Sequence, residues 1–378
     1  LYLEKGKAEI RDASQLWGKD SYETQKLIKQ ELGDDNLSVA CIARGGEKQI
    51  RYASIMNDKG RSAGRCGMGA LMGSKNLKAV VAAGDSKPKL ADPAKIRALV
   101  KEAGTDIDAN PISVAFTEYG TLMYMDMGMM LGDVPVKYFT KSVFPVEKVT
   151  GEAIRKAYTL KNHACRGCPV GCGRRVKNFE VVLDVEGPEY ETAVALGPLC
   201  LNTDLDSIVE ANHLCNVHGI DTITAGVSIA YALYLYEQGV LTKEDAGMEL
   251  LWGDSKTILK LVEMIVNREG IGEILSQGTL AMARHFGRDE GEAAQVKGLE
   301  MPMHEGRAFH GLAVSYATGP RGACHLKGDY YNVDLGNMVA EYGILPGDRH
   351  SSDGKGEFAA KFQSLKDLFD ALTLCKFC

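Results

Sequence analysis

No stretch of this chain stays apolar for the ~20 residues that a bilayer-spanning helix needs. The longest apolar run, roughly Gly226 to Tyr236, stops well short of that length, so no membrane span is expected. Basic residues are not in excess: 44 Lys and Arg stand against 50 Asp and Glu, a net charge of −6. A general nucleic-acid binder, which needs a basic stripe or patch, is therefore not expected. Nothing recurs at a spacing of roughly 20–50 residues, which argues against a solenoid. The glycines form neither a G-x4-G-K-[ST] phosphate loop nor a clean dinucleotide fingerprint. The first residues do not read as a signal peptide, and a cytoplasmic setting is expected. Ten cysteines in 378 residues are too sparse for a small secreted disulfide scaffold. With 45% hydrophobic and 25% charged residues, the composition is that of an ordinary globular chain of two or three domains. The chain starts on Leu1 and stops on Cys378 inside an apolar helical pattern without a cap, and both ends read as cuts in a longer protein.

What is present begins with three clustered cysteines, Cys165-Arg-Gly-Cys168-Pro-Val-Gly-Cys172. Two glycines and a proline in this run give the loop the freedom to turn three thiolates onto one metal centre. Three soft ligands in a row with a distant fourth suit a [4Fe–4S] cube. Zinc is the alternative, because Cys375 and Cys378 form a second C-x2-C pair. A glycine-rich segment, RSAGRCGMGALMGSKNLK at 61–78, carries Arg61, Arg65, Lys75 and Lys78 among Gly64, Gly67, Gly69 and Gly73. Such a segment can bring backbone N–H groups and cations to a phosphate, or be a tight turn packed on a sheet. Two segments, 216–221 (NVHGID) and 370–375 (DALTLC), each follow an amphipathic stretch and read as helix ends, with Gly219 a plausible C-terminal cap.

Short apolar alternation over 38–43, 49–54 and 77–83 makes residues 1–87 mainly β. A polar link at 85–93 leads to a mostly helical remainder, with helices expected over 92–104, 150–158, 203–217, 221–238, 255–268, 271–287 and 357–374. Asp92-Pro93 and Asp254-Ser255 carry the cap signals of helix starts. The fold class is α+β: a β-rich N-terminal domain at 1–87, a helical domain with the cysteine loop at 88–295, and a second helical domain at 296–378.

Taken together, these features resemble the aldehyde ferredoxin oxidoreductase family of tungsten, sometimes molybdenum, bis-pterin enzymes. The residues that carry the resemblance are AGRCGMGALMGSKNLKAV at 63–80, HACRGCPVGCGRR at 163–175, GPEYET at 187–192, GIDTITAG at 219–226, YATGPRGACHLKGD at 316–329 and LCKF at 374–377. The resemblance implies that Cys165, Cys168, Cys172 and the remote Cys375 hold a [4Fe–4S] cluster, and zinc then falls away. The family's paired pterin motif is D-x-x-G-L-(C/D). The 216–221 segment fits it with Asn216 for Asp and Ile220 for Leu, keeping Gly219 and Asp221. The 370–375 segment keeps Asp370 and Leu374, with Thr373 for Gly. The glycine-rich segment, with Arg65, Gly67, Gly69 and Lys75, matches the part that covers the pterin phosphates, which a Mg²⁺ bridges in the family.

The resemblance also implies Glu191 and His325 beside the metal, where either could move protons. His304 and His310, with Arg307, suggest a polar pocket wall. Cys200 falls near the region where the related benzoyl-CoA reductase catalytic subunits place a metal-binding Cys, and Cys324 is the other candidate. Glu210 and His213 form an E-x-x-H on one helix face, read as solvated. The implied activity is oxidation of an aldehyde to a carboxylic acid, with ferredoxin or another low-potential carrier as acceptor. The alternatives are reduction of an aromatic acyl-CoA within a benzoyl-CoA reductase-like complex, and a zinc-stabilised structural protein. A homodimer or separate electron-transfer subunits are the partners implied.

Overall fold

The computed structural model describes residues 1–58, 60–84, 86–178 and 183–377. Asp85 of the expected link and Cys378 of the second cysteine pair lie outside them.

Six short strands make the first sheet: β1 (Tyr2–Glu4), β2 (Lys7–Glu9), β3 (Ser38–Cys41), β4 (Ile55–Asn57), β5 (Arg61–Ala63) and β6 (Ala79–Ala83). Their order is β2-β1-β6-β3-β4-β5. Only β1 and β6 run parallel; the other neighbours are antiparallel. Val39, Cys41, Met56 and Val81 line one buried face, as period-two alternation requires. The helix Ser21–Leu32 covers that face with Ile28. Asp20 caps it by accepting the Glu23 N–H at 2.8 Å, and Gly33 ends it at φ 68°. The 1–87 region is thus less purely β than its alternation suggests.

The main core is helical. The helices Leu205–His218, Thr222–Glu237 and Ser255–Asn267 start at Asp204, Asp221 and Asp254, whose side chains accept the N–H groups of Ser207, Ile223 and Thr257. Helix Thr222–Glu237 buries twelve of its sixteen residues and is the central element. The short helix Tyr190–Leu196 packs against it. A three-stranded antiparallel sheet, β7 (Thr159–His163), β8 (Gly173–Asn178) and β9 (Leu183–Glu186), leads into that short helix. Helices His310–Thr318 and Lys355–Ala371 pack on each other near the end of the chain. They have their own small cores around Tyr330, Ile344 and Phe362 and around Phe309 and Leu312.

Two expected elements differ. The alternation at 49–54 is not a strand of the sheet. It turns at Ile50 and forms a single bridge, Ala53 to Ile220. Around that bridge the Ser54 N–H donates to Gly219 O at 2.8 Å and the Asp221 N–H to Tyr52 O at 3.0 Å, so the segment ties the first sheet region to the helical core. The single helix expected over 271–287 is two, Gly272–Leu275 and Thr279–His285. Gly278 separates them at φ +83°, where a Cβ would lie 2.6 Å from the Glu300 carboxylate. The remaining expected helices form within a few residues of their predicted limits; that at 92–104 extends to Ala109.

Candidate active site and thiol loop

Arg65 leaves the sheet just after β5 and points inward, its side chain only 9% exposed. Its guanidinium donates to Asp221 Oδ2 at 3.3 Å, Ala323 O at 2.7 Å and Glu300 O at 2.5 Å. One fork thus joins the first sheet region, the head of the central helix and the last third of the chain. Burial alone would lower the Arg65 pKa, but Asp221, Cys324, Glu191 and Glu300 more than reverse this. Asp221 also accepts the Thr224 hydroxyl at 2.8 Å. The buried Glu300 accepts the Thr279 N–H at 2.8 Å and lies 3.0 Å from the Thr224 hydroxyl oxygen, and burial pushes its pKa up.

Glu191 stands in the first turn of helix Tyr190–Leu196. Its Oε2 accepts the Met303 N–H at 2.8 Å. Its Oε1 faces two imidazoles, His304 Nε2 and His325 Nε2, each at 3.6 Å. Burial raises the Glu191 pKa, while His304, the Met303 N–H and Arg65 pull it down in part. His325 is held well below the ordinary histidine value by burial and by the cations around it, foremost His304 and Arg65. It is a neutral imidazole at neutral pH. His304 goes the other way: burial lowers it, but the bond and charge of Asp133 and the nearby Glu191 raise it overall. Asp133 and Glu300 have no place in the sequence-based site. Both are carboxylates set among apolar neighbours, and nothing in the sequence links either to its partners.

The thiol loop sits on the other side of the same turn. Glu189, one residue before Tyr190, accepts the Thr121 hydroxyl at 2.5 Å, and its charge acts on Cys172. Cys165, Cys168, Cys172 and Cys375 are all free thiols, exposed or half-buried. The Arg174 guanidinium binds the loop from below through Gly171 O, Cys172 O and Gly173 O at 2.9–3.1 Å, and reaches Phe116 O at 2.7 Å. The C-terminal segment comes back to this loop: Phe377 packs on Phe116 with centroids 4.8 Å apart. Lys376 donates to Leu326 O at 2.6 Å. The Cys172 thiol is raised to about 11 by burial first, then by Glu189, Cys375 and Cys165, with Arg61 opposing. Among the described residues, no three His, Cys, Asp or Glu side chains close on a single metal ion.

Several expected site residues have other surroundings. Gly69 and Gly73 are close-packing positions: a Cβ on Gly69 would lie 2.4 Å from Ser54 O, and one on Gly73 1.8 Å from Gly46 O. They lie on a short helix, Met68–Ser74, rather than in an open loop. Gly67, at φ +69°, starts it beside Arg51 O. Lys75 is exposed at its far end. Gly219 ends helix Leu205–His218 at φ 67°, and Asn216, in its last turn, contacts Asn212 at 3.4 Å and accepts the Ser21 hydroxyl on its carbonyl at 2.8 Å. Asp370 is clamped by Lys327 at 2.6 Å and Lys376 at 2.9 Å, between the His325 turn and Cys375; Leu374 is 52% exposed. Cys200 is fully buried in the apolar core, its thiol donates to Ala195 O at 3.4 Å, and burial raises its pKa. Cys324, buried and 2.7 Å from Arg321 Nη2, is the thiol that lies at the cluster. The expected pocket wall also divides. Arg307 lines a cavity of about 320 Å³ with Glu305, Lys141 and His350, while His304 turns inward and His310 bonds Ser352 at 3.3 Å. On the Glu210–His213 face, Glu210 is exposed but His213 packs on Tyr22 with centroids 6.1 Å apart.

These residues suit the implied groups. Glu191 Oε1 and His325 Nδ1 are buried without a hydrogen-bond partner. A buried polar atom left so costs roughly 1–3 kcal/mol, so the two mark a place for polar ligand atoms. The four free thiols suit a multi-iron cluster, whose corners are wider apart than the donors of one zinc ion.

A β-sheet region and a helical core thus close on a buried acid–imidazole cluster beside a three-cysteine loop, to which the C-terminal segment with Cys375 returns. Residues 1–84 match the aldehyde ferredoxin oxidoreductase N-terminal domain, and residues 98–378 match aldehyde ferredoxin oxidoreductase domains 2 and 3. The chain belongs to the aldehyde ferredoxin oxidoreductase family. It is 38% identical over 381 residues to the tungsten-containing aldehyde ferredoxin oxidoreductase of Pyrococcus furiosus, covering 100% of this chain and 62% of that protein. The corresponding protein of Thermococcus kodakarensis is also 38% identical, with the same coverage. The aliphatic sulfonate oxidoreductase, WOR-like subunit, of Pyrococcus furiosus is 30% identical over 86% of this chain and 56% of its own length. Among solved structures, the active-site complex BamBC of benzoyl coenzyme A reductase with 1,5-dienoyl-CoA superposes with a TM-score of 0.81 at 25% identity, over 100% of this chain and 63% of that one. The chain thus spans 62% of the length of the aldehyde ferredoxin oxidoreductases it matches. No helix among the described residues is long and apolar enough to cross a membrane.

Proposed function

We propose that this chain is the catalytic part of a tungsten (or molybdenum) bis-pterin oxidoreductase. It would oxidise an aldehyde to a carboxylic acid with ferredoxin or a similar low-potential carrier as acceptor in a reducing cytoplasm, and a [4Fe–4S] cluster would supply the electron relay. The observation that carries this is the Glu191–His325 pair with its two unpartnered buried atoms, one turn from the thiol loop. The divisions 1–87, 88–295 and 296–378 are proposed as its structural units.

Cys165, Cys168, Cys172 and Cys375 would hold the cluster. Arg65, Gly67, Gly69, Lys75, Asn216, Gly219 and Asp221 would hold one pterin, and Asp370 and Leu374 the other, and a Mg²⁺ would offset the charge of their phosphates. When bound, the pterin-held metal supplies the two-electron oxidant. The aldehyde and one water then give the acid, two electrons and two protons. This chain's own residues handle the protons. Glu191 accepts one on Oε1 as a carboxylate, and the neutral His325 can accept another or orient the substrate oxygen. Burial of the cluster excludes bulk water and strengthens each of these contacts.

Glu191→Gln is the direct test. Turnover should fall by about 10²–10⁴-fold, the usual worth of a general acid–base, while tungsten and iron contents stay unchanged. Full turnover in that variant would remove Glu191 from the mechanism. Elemental analysis for tungsten, molybdenum, iron and zinc separates this reading from a zinc-stabilised protein. The superposition on the benzoyl coenzyme A reductase complex favours a second reading, reduction of an aromatic acyl-CoA. Oxidation of the matching dienoyl-CoA with a viologen dye, without oxidation of aldehydes, would make that one correct.

A further inference from the structure

Asp133 lies just beyond the helix Met125–Met130, and its side chain is wholly buried. Its Oδ1 accepts the Glu305 N–H at 2.8 Å. Its Oδ2 accepts the Tyr124 hydroxyl at 2.9 Å and lies 2.6 Å from His304 Nδ1. A carboxylate only accepts, so Nδ1 of His304 carries a proton. The imidazole ring is fixed against rotation. It stacks on Tyr331 at 4.3 Å and 16° and on Tyr190 at 4.9 Å and 30°. With Nδ1 and the ring plane set, Nε2 is left facing the unpartnered Oε1 of Glu191 at 3.6 Å.

We infer that Asp133 is a positioning residue for the reaction proposed above: by accepting the Nδ1 proton of His304 it aims Nε2 at Glu191. Nothing in the sequence points to Asp133, and it touches neither His325 nor Arg65. Its effect passes through one imidazole. A histidine that merely filled the core would need no second nitrogen aimed at a buried acid.

The charges around the pair agree. Asp133, Glu191 and Asp329 favour the imidazolium, against burial. The hydroxyls of Tyr124, Tyr190 and Tyr331 are pushed up by burial and stay neutral. His325 is held neutral, so it adds no competing charge. At Glu191, His304 and Arg65 favour the carboxylate while Asp221 opposes it. Removing the imidazolium therefore makes Glu191 hold its proton more tightly. Activity that needs the carboxylate is lost as pH falls through that value, so the acid limb of the pH profile moves up.

The test uses the full-length enzyme labelled with ¹⁵N-histidine, with the His304 ring resonances identified by their loss in His304→Gln. In the parent protein both ring nitrogens of His304 should be protonated at neutral pH. In Asp133→Asn one should become bare, and the acid limb of kcat should move up by about one pH unit, the smaller end of what a neighbouring opposite charge contributes. Should Asp133→Asn not fold, His304→Gln should move the limb in the same direction. A neutral His304 in the parent protein, or an acid limb unmoved in both variants, overturns the inference. If the enzyme turns over no aldehyde, the reaction assigned above fails by itself, and the nitrogen shifts still decide the state of His304.

Discussion

The thiol loop and the acid–imidazole cluster flank a single turn, yet they are built in opposite ways. The four thiols are exposed or half-buried, and their loop is held by main-chain carbonyls gathered on Arg174. The cluster on the inner side is largely buried, and its charge pairs join distant parts of the chain. Arg65 answers Asp221, and His304 answers Asp133. The thiols can be changed without disturbing a core. The inner charges cannot, because an unmatched charge in a dry site costs far more than an exposed one. The difference follows from the demands on each part. A loop that receives a cluster has to be reachable, whereas a proton acceptor has to be shielded.

This contrast can be broken by measurement. Arg65→Met should lower the unfolding free energy by about 3–5 kcal/mol, the cost of removing one partner of a buried pair. Urea unfolding of the metal-free protein would register it. A loss below about 1 kcal/mol would mean that water reaches Asp221. Asp370→Asn removes the acceptor of Lys327 and Lys376, but Asp370 is 41% exposed. The same measurement should then change by less than about 1 kcal/mol. The Asp370 carboxyl is held below its usual range by Lys327 and Lys376, against burial. Its contribution is present above the unfolded value and lost as pH falls through the depressed one, so the small effect of the variant should vanish in acid. Cys375→Ser should be smallest of all in stability, within about 0.5 kcal/mol, while iron content and visible absorbance fall sharply. A large loss of stability in that variant would show that the loop is structural after all.

The helix starts were legible because their chemistry is local. Asp92 accepts the N–H groups of Ala94 and Lys95, and Asp254 that of Thr257, as their sequence positions suggest. The thiol run and the PEYET turn were legible as motifs. The alternation at 49–54 was misleading because it pairs with 219–221 rather than with the sheet. The glycines of 67–73 suggest a phosphate cradle, and the close backbone approaches at Gly69 and Gly73 carry no local signal of their own. Asp133 was invisible because its partner His304 lies 171 positions away, and no periodicity links them. Local pattern reports caps and faces; it cannot report which buried charges will meet.

The reach of Arg65 has a consequence for the order of assembly. Its carbonyl partner Ala323 lies 258 positions further along the chain. At ribosomal speed that separation is roughly ten to fifty seconds of synthesis. Throughout that interval the guanidinium and Asp221 have no dry enclosure to share. The charged interior therefore cannot be sealed until the last third of this chain has been made, after the sheet and the central helix have had time to form.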